Sequence, residues 1–415
     1  MMSRSWTFLM RPSEEPPPMD WAVSARGTHV TFADGLETYC ATSGLWNVPL
    51  GYGRDEIAEA VGRALRDASY LTLFRRSHVY AENAAERLIS FIGMPFSRVL
   101  FATSGGAAND LTMKLCRQYW SIEGDAQRRI VVGLRGSYHG LTFGAHALGG
   151  EDLGQALYGV DGRDVRHVPF DDGGEALESL FRREGSRIAA VVIEPVLGTG
   201  AFEVPRAFLK TMQGLREHYG FLLVADEVAT GFGRTGTRFA SSEWSEHPDV
   251  LVVSKALTNG TCPAAAVAVN DRVASAFRLH DALLVHGETQ AGTPASCAAI
   301  IAALELFEAM GADALFRSVS AELDRVQERL LESPRVMDTR GRGAFRALRI
   351  VDARTGEEIS RDEVLQLVER TRRRGALVHP GPSGVQLIPA AVSTPAELNR
   401  AADAILDALD ERDPE

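Results

Sequence analysis

Several short stretches of this chain end an apolar run on a residue type that can do chemistry. "VLVVSKA" (250–256) reaches Lys255, "FLLVADEV" (221–228) reaches Asp226, and "AAVVIEP" (189–195) reaches Glu194. "RIVVGL" (129–134) leads into "RGSYHG" (135–140), with Tyr138 and His139 between glycines, and "RVLFAT" (98–103) leads into "SGGAAN" (104–109). A lysine at the mouth of a buried strand has a plain reading, a packed stem with its ammonium in water. It also has a chemical one: only about one free lysine in a few thousand is neutral at pH 7, and partial burial favours the reactive amine. A glycine pair opening a helix suits an anion held by backbone N–H groups and the helix dipole. Taken singly, Tyr138 is packing, His139 a satisfied loop histidine and Asp226 a turn cap. Together they suit a flat, phosphorylated, cationic heterocycle bearing an aldehyde. The phosphate goes to Ser104–Gly106, Tyr138 stacks on the ring, Asp226 pairs the ring nitrogen, and Lys255 condenses with the aldehyde.

Such a set has to be brought together by strands that share one edge. The five runs above and "AAAVAV" (264–269) are rich in Val, Ile, Leu and Ala and do not alternate with polar residues, as strands covered on both faces require. Helical patterns such as 107–120 and 205–220 separate most of them, the latter with Pro205 near its start and Gly220 just past its end. This predicts an α/β fold with a mostly parallel central sheet, helices on both faces, and ligands beyond the strands' carboxyl ends. After about residue 290 the character changes. Helices are predicted at 294–310, 315–332, 361–374 and 395–410, with strands near 346–352 and 376–381, as in a smaller α+β domain. An alternating stretch at 27–40 turns at Asp34-Gly35 and reads as a hairpin. The expected organisation is an N-terminal segment (1–50) joining the small domain, a large ligand-binding domain (51–290) and a C-terminal small domain (291–415).

The 415 residues carry a net charge of −11 with arginines and acids interspersed, which argues against a nucleic-acid or anionic-membrane surface. Cys40, Cys116, Cys262 and Cys297 are far apart and show no metal or redox spacing. No apolar run reaches the length of a membrane span, and the N-terminus lacks a signal-type apolar region, so a cytoplasmic location without a metal is expected.

"DEVATGFGRTG" (226–236), "SKALTNG" (254–260) and "HGETQAGTP" (286–294) resemble the class III pyridoxal phosphate-dependent aminotransferases of fold type I, close to omega-transaminases and diaminopelargonic acid aminotransferases. "SGLWNVPLGYGRDEIAEAV" (43–61), "ATSGGAAN" (102–109), "GSYHG" (136–140) and "VVIEPVLGTG" (191–200) follow the family's order, so the likeness spans about residues 25–410. The resemblance implies pyridoxal 5'-phosphate as cofactor, Lys255 as the Schiff-base lysine and proton shuttle, and Asp226 as partner of the ring nitrogen. It puts Val228 on the ring face opposite Tyr138 and the phosphate on Ser104, Gly105 and Gly106, with His139 and Glu194 beside the cofactor. It implies a homodimer in which Thr289 reaches the neighbouring subunit's phosphate, and it places Trp46 at the substrate entrance.

Departures from the family pattern carry the specificity argument. "SGGAAN" lacks the usual hydroxyl and acid at Gly106 and Ala107, Leu197 and Thr199 replace common polar residues, and Ala229 replaces a frequent glutamine. In "VQLIPAA" (385–391), Gln386 stands where an arginine commonly clamps a substrate carboxylate. A buried guanidinium–carboxylate pair is charge-assisted, and truncating one costs about 2–5 kcal/mol. Gln386 offers only neutral hydrogen bonds, so the expected acceptor is a ketone or aldehyde without a carboxylate there: an amino ketone, an amine precursor in specialised metabolism, or a modified peptide end. The competing expectation is that Arg346 compensates and the substrate is an omega-amino acid or diaminopelargonic acid precursor. Decarboxylation or aminomutation on the same cofactor is a further alternative. "GFGRTG" (231–236) also spells a dinucleotide fingerprint, but it lies off the strand end and is followed about 20 residues later by Lys255 rather than an acid.

Overall fold

The computed structural model describes residues 4–411; the outermost ends of the expected N- and C-terminal segments, residues 1–3 and 412–415, lie outside them. Three strands open the chain, β1 (Ala22–Arg26), β2 (His29–Phe32) and β3 (Glu37–Cys40), with the predicted turn at Asp34-Gly35 between the last two. The central sheet follows: β4 (Phe96–Ala102), β5 (Ile130–Leu134), β6 (Val165–Val168), β7 (Ile188–Ile193), β8 (Leu222–Asp226), β9 (Val250–Val253) and β10 (Ala265–Asn270). Their order is β4-β10-β9-β8-β7-β5-β6. Strands β9, β8, β7, β5 and β6 pair in parallel, whereas β10 is antiparallel to both of its neighbours. The carboxyl ends of β4, β5, β7, β8 and β9 therefore share one edge.

The apolar runs become buried strands because both sheet faces are covered. Every residue of β5, β7, β8 and β9 is buried. Successive residues serve opposite cores: Val191, Ile193, Leu223 and Leu251 pack in one cluster, and Val192, Val224 and Val252 in the other. Strand β6, absent from the sequence reading, is the sheet's edge. Its central Arg166 and His167 are half-exposed, and Arg166 pairs with Glu184 at 2.8 Å, so no apolar run announces it.

The C-terminal region builds a four-stranded sheet from β11 (Val336–Arg342), β12 (Phe345–Ile350), β14 (His379–Pro380) and β15 (Val385–Leu387), in the order β11-β12-β15-β14. The short β13 (Ala376–Leu377) leaves this sheet and pairs in parallel with β3, tying the N-terminal strands to this region. Three long helices, Ala312–Leu330, Arg361–Arg373 and Pro395–Asp410, pack around it; the last two start with the capping boxes Ser360/Glu363 and Thr394/Glu397. Among the described residues no single helix is long and apolar enough to cross a membrane, and Pro294–Ala309 with Ala312–Leu330 passes that test only as a pair bent by 67°. The four cysteines are free.

One short element departs from the menu. Ser43, Gly44, Leu45 and Trp46 have φ of 41°, 59°, 57° and 67°, a left-handed turn built mostly from residues with a Cβ. Each such residue costs roughly 1–2 kcal/mol, so the turn persists only because its surroundings impose it.

Candidate active site

The shared edge gathers the predicted residues into one crevice. Asp226, 2% exposed, ends β8. Its Oδ2 accepts hydrogen bonds from His139 Nδ1 at 2.7 Å and Asn109 Nδ2 at 2.8 Å, and its Oδ1 accepts from the Val228 N–H at 3.1 Å. Burial alone would favour a neutral His139, but the hydrogen bond and charge of Asp226 outweigh it and raise the imidazole's pKa. His139 Nε2 and Asn109 Oδ1 are buried without partners.

Glu194, one residue past β7, faces the same pocket. It accepts from the Tyr138 N–H at 2.9 Å and the Gly198 N–H at 3.0 Å, while burial pushes its carboxyl well above the usual range. Its direct role is thus to shape the loops carrying Tyr138 and Gly198. Tyr138 itself is half-buried, and burial raises its phenol pKa.

Lys255 follows β9 with φ of +45°, a conformation uncommon for a residue with a side chain. Its Nζ lies 4.4 Å from the centroid of the Trp46 ring. Desolvation pulls its pKa down to about 8, against the opposing charges of Asp226 and Glu194. Trp46 is 8% exposed and its Nε1 has no partner; its ring packs against Phe345 at 5.5 Å and edge-on against His379 at 5.4 Å.

At the other end of the crevice, Ser104 caps the 18-residue helix Gly105–Ile122, its Oγ accepting from the Ala107 N–H at 3.2 Å. A Cβ on Gly105 would sit 3.1 Å from Val228, one on Gly106 3.3 Å from the Thr142 hydroxyl, and one on Gly140 would run into the Gly106 Cα. Bare backbone at these positions leaves the first N–H groups of the helix open to an anion. A helix N-terminus for a phosphate, a half-buried aromatic, a buried carboxylate and a lysine with a depressed pKa form a donor set that fits pyridoxal phosphate.

Gln386 is 1% exposed on β15 and donates from Nε2 to the Gly198 carbonyl at 3.0 Å. It pairs with Ala347 across β12, and Ala347 joins Trp46, Phe345, Ala229 and Ile388 in a small apolar cluster. Arg346 does not join them. On β12 it points to the face opposite Phe345 and Ala347, where its guanidinium donates to Gly341 O, Gly343 O, Gln327, Ser320 and Asp324. Strand alternation sends it away from Gln386, so the expectation that Arg346 lines the substrate pocket is corrected. Thr289 is exposed, and its carbonyl accepts from Tyr70 Oη at 3.0 Å.

Sequence reasoning missed two residues here. His379 opposes Gln386 across β14 and β15, and burial together with the charge of Lys255 pushes its pKa down to about 4, so it is neutral at physiological pH. Asn109 ends "SGGAAN", and its place one turn into a helix that starts at the strand end is the signal that could have found it.

Fold and site together define a pyridoxal phosphate-dependent transferase of fold type I. The Aminotransferase class-III family matches residues 10–409, and the chain belongs to that family: it is a pyridoxal phosphate-dependent aminotransferase. It is 29% identical to the omega-amino acid–pyruvate aminotransferase of Pseudomonas putida over 93% of this chain and 91% of that protein. It is 30% identical to the adenosylmethionine-8-amino-7-oxononanoate aminotransferase of Anoxybacillus flavithermus over 89% and 87% of the two chains. An amine transaminase from an uncultivated Pseudomonas species, solved in its pyridoxal phosphate-bound form, superimposes with a TM-score of 0.91 at 27% identity, covering 98% of both chains.

The Lys255 environment predicts its titration. In the cofactor-free enzyme, labelling of Lys255 by an amine-directed reagent, followed by peptide mass spectrometry, should rise with pH around a midpoint near 8. An unperturbed lysine titrates near ~10.4, and a Lys255 midpoint in that range would contradict the desolvated site.

Proposed function

We propose that this aminotransferase moves an amino group to a ketone or aldehyde that carries no carboxylate on the Gln386 side. The observation that carries this reading is the neutral wall facing Lys255. Gln386 is buried and committed to a backbone carbonyl, His379 is held neutral, and Trp46, Phe345, Ala347 and Ile388 supply apolar surface. The buried Arg234 guanidinium behind this wall donates to Ser43, Trp46, Ile388 and Pro389, so a carboxylate buried there would lose its hydration without gaining a free cationic donor. Tailoring of a specialised metabolite or of a peptide end fits such a wall. The omega-amino acid and adenosylmethionine-8-amino-7-oxononanoate activities named for the two relatives are the competing reading.

When bound, pyridoxal phosphate supplies the aldehyde that carries the amino group and a protonated ring that draws electrons from the substrate carbon. Ser104, Gly105 and Gly106 would hold its phosphate at the helix N-terminus, Tyr138 and Val228 would hold the ring, and Asp226 would keep the ring nitrogen protonated. His139 and Asn109 orient the Asp226 carboxylate from behind, and Glu194 holds the Tyr138 loop. Lys255 would anchor the cofactor through Nζ and, as the free amine, would take and return the proton at the substrate carbon. Its depressed pKa suits that exchange, because a base works best when its pKa lies near the working pH.

A homodimer completes the proposal. Tyr70, Leu71, Phe74, Leu141, Phe143, Leu283 and Val285 are exposed apolar side chains. Phe74 packs over Gly287, two residues before the exposed Thr289, so apolar patch and Thr289 share one surface. A second copy covering it would receive Thr289 at its own phosphate.

Two measurements test this reading. With butanal and 4-oxobutanoate as acceptors, which differ by a methyl in place of a carboxylate, kcat/KM should favour butanal by roughly tenfold or more. Arg346→Ala should leave that ratio unchanged, and a preference for 4-oxobutanoate would overturn the carboxylate-free assignment. Asp226→Asn should retain Lys255-linked cofactor after borohydride reduction but lose activity on the order of a hundredfold or more, as when one aligned electrostatic partner is removed. Full activity in this variant would remove Asp226 from the ring nitrogen.

A further inference from the structure

The G-x-G-x-x-G stretch, Gly231–Gly236, binds no dinucleotide in this family's chemistry, yet it carries a fully buried cation. Arg234 is 1% exposed, and among the described residues no carboxylate lies within ion-pair distance of it. Its guanidinium lies over the Phe316 ring at 5.4 Å, and its four hydrogen bonds go to neutral acceptors on two distant segments. Nη1 donates to Ile388 O at 3.3 Å and Pro389 O at 2.6 Å. Nη2 donates to Ser43 Oγ at 3.0 Å and Trp46 O at 3.4 Å. The first pair of acceptors follows Gln386 by two and three residues; the second pair bounds the left-handed turn that carries Trp46.

Local backbone bonds, Trp46 N–H to Thr42 O at 2.8 Å and Val48 N–H to Ser43 O at 2.9 Å, close the turn but leave its left-handed strain, and its distant partners show what else holds it. Ser43 Oγ also donates to Ile388 O at 2.7 Å, so hydroxyl, guanidinium and carbonyl close a three-way junction. Asn47 Nδ2 donates to Gly44 O at 3.1 Å and Leu45 O at 2.9 Å from the solvent side. The loop that delivers Arg234 is itself clasped. Phe232 and Gly233 have positive φ, a Cβ on Gly233 would strike Phe316, and the Ala344 N–H donates to Arg234 O at 2.8 Å. A buried cation without a counter-ion is expensive, and an apolar side chain of similar volume would fill the space without that cost. What an apolar side chain lacks is a planar array of donors reaching four acceptors at fixed angles, which lysine lacks as well.

We propose that Arg234 is a positioning residue: its guanidinium locks the Ser43–Trp46 turn onto Ile388–Pro389 and thereby sets Trp46 against Lys255 and Gln386 against Gly198. Asp226 and Val228 begin the loop that carries Arg234, but Asp226 is held separately by His139 and Asn109 and the other cofactor-holding residues sit on other loops, so loosening the lock changes the substrate wall and leaves the cofactor in place. The effect on substrate rests on the reading above that Trp46 borders it; the lock itself does not.

The test compares Arg234→Lys, Arg234→Met and Ser43→Ala with Trp46→Ala in the cofactor-loaded enzyme, Ser43→Ala being the mild variant that is read if Arg234→Met does not fold. Trp46 emission, taken as wild type minus Trp46→Phe, should shift to the red and become open to acrylamide quenching in each lock variant, with cofactor absorbance retained. Unchanged Trp46 emission and quenching overturns the lock. With benzylamine as donor and butanal as acceptor, followed by benzaldehyde formation, KM for benzylamine should rise about tenfold while kcat changes less than about threefold. In a Trp46→Ala background the lock variants should add little, because the two changes then act through one contact. A rise in KM for Trp46→Ala but none for the lock variants would overturn the Arg234 assignment alone. A shift in emission without any KM effect of Trp46→Ala would leave the lock standing and remove Trp46 from the substrate.

Discussion

Ionisable groups buried beside one another must each be held by something other than water, and the crevice at the carboxyl edge is organised around that constraint. Asp226 receives two side-chain donors and one backbone N–H, Glu194 receives two backbone N–H groups, and Arg234 donates only to neutral acceptors. Burial moves two of these groups towards the working range, the Glu194 carboxyl upward and the Lys255 amine down to about 8. The reactivity of Lys255 follows from what surrounds it: a cation over an indole face, desolvated, with carboxylates near enough to moderate the shift but not to pair with it. The parallel sheet makes this possible, because five strand ends deliver polar side chains to one place while every strand interior stays apolar.

The two sides of the crevice follow opposite rules. The cofactor side, from Ser104 through Tyr138 to Asp226, combines a helix N-terminus and bare glycine backbone, which favour a phosphate, with the Asp226 carboxylate, which favours a protonated ring. The opposite side is drawn from β12, β14, β15 and the N-terminal turn, and its polar members, Gln386 and His379, carry no charge. A fold that holds one cofactor for many reactions varies this second side, since electrostatics fix the cofactor while shape and neutral donors choose the substrate.

The sheet was legible because a strand buried on both faces has to be apolar at consecutive positions, and six of its seven strands show that pattern. The seventh, β6, is an edge strand whose Arg166 and His167 face partial solvent, so nothing in its composition separates it from a loop. In the site, Lys255, Asp226, Tyr138 and the glycine pair could be read because each directly follows such a strand. His379 and Arg234 could not. Their partners lie hundreds of residues away in the chain, Trp46 for His379 and Ser43, Trp46 and Ile388 for Arg234, and no local pattern encodes that distance. Arg346 was misread for a local reason: Phe345 and Ala347 flank it as the apolar, inward positions of β12, and strand parity then sends Arg346 out.

Backbone strain and glycine content make sense together on this view. The left-handed residues Ser43, Leu45, Trp46 and Lys255 converge on one crevice, and local strain survives only where neighbours over-determine it. The neighbouring loop meets that condition by being unable to relax: Gly231 and Gly233 lie against Phe239 and Phe316 with no room for a side chain, and Gly343 abuts the backbone of Arg234 and Thr235. Glycines that would loosen an exposed loop here permit contacts too close for any other residue, and the loop they form is stiff. A stiff loop can carry a buried guanidinium to four fixed acceptors, and those acceptors hold a turn that the chain would otherwise not adopt. The indole beside Lys255 is therefore positioned by close packing in the "GFGRTG" loop, the segment whose spelling suggested a nucleotide and whose geometry serves the opposite wall.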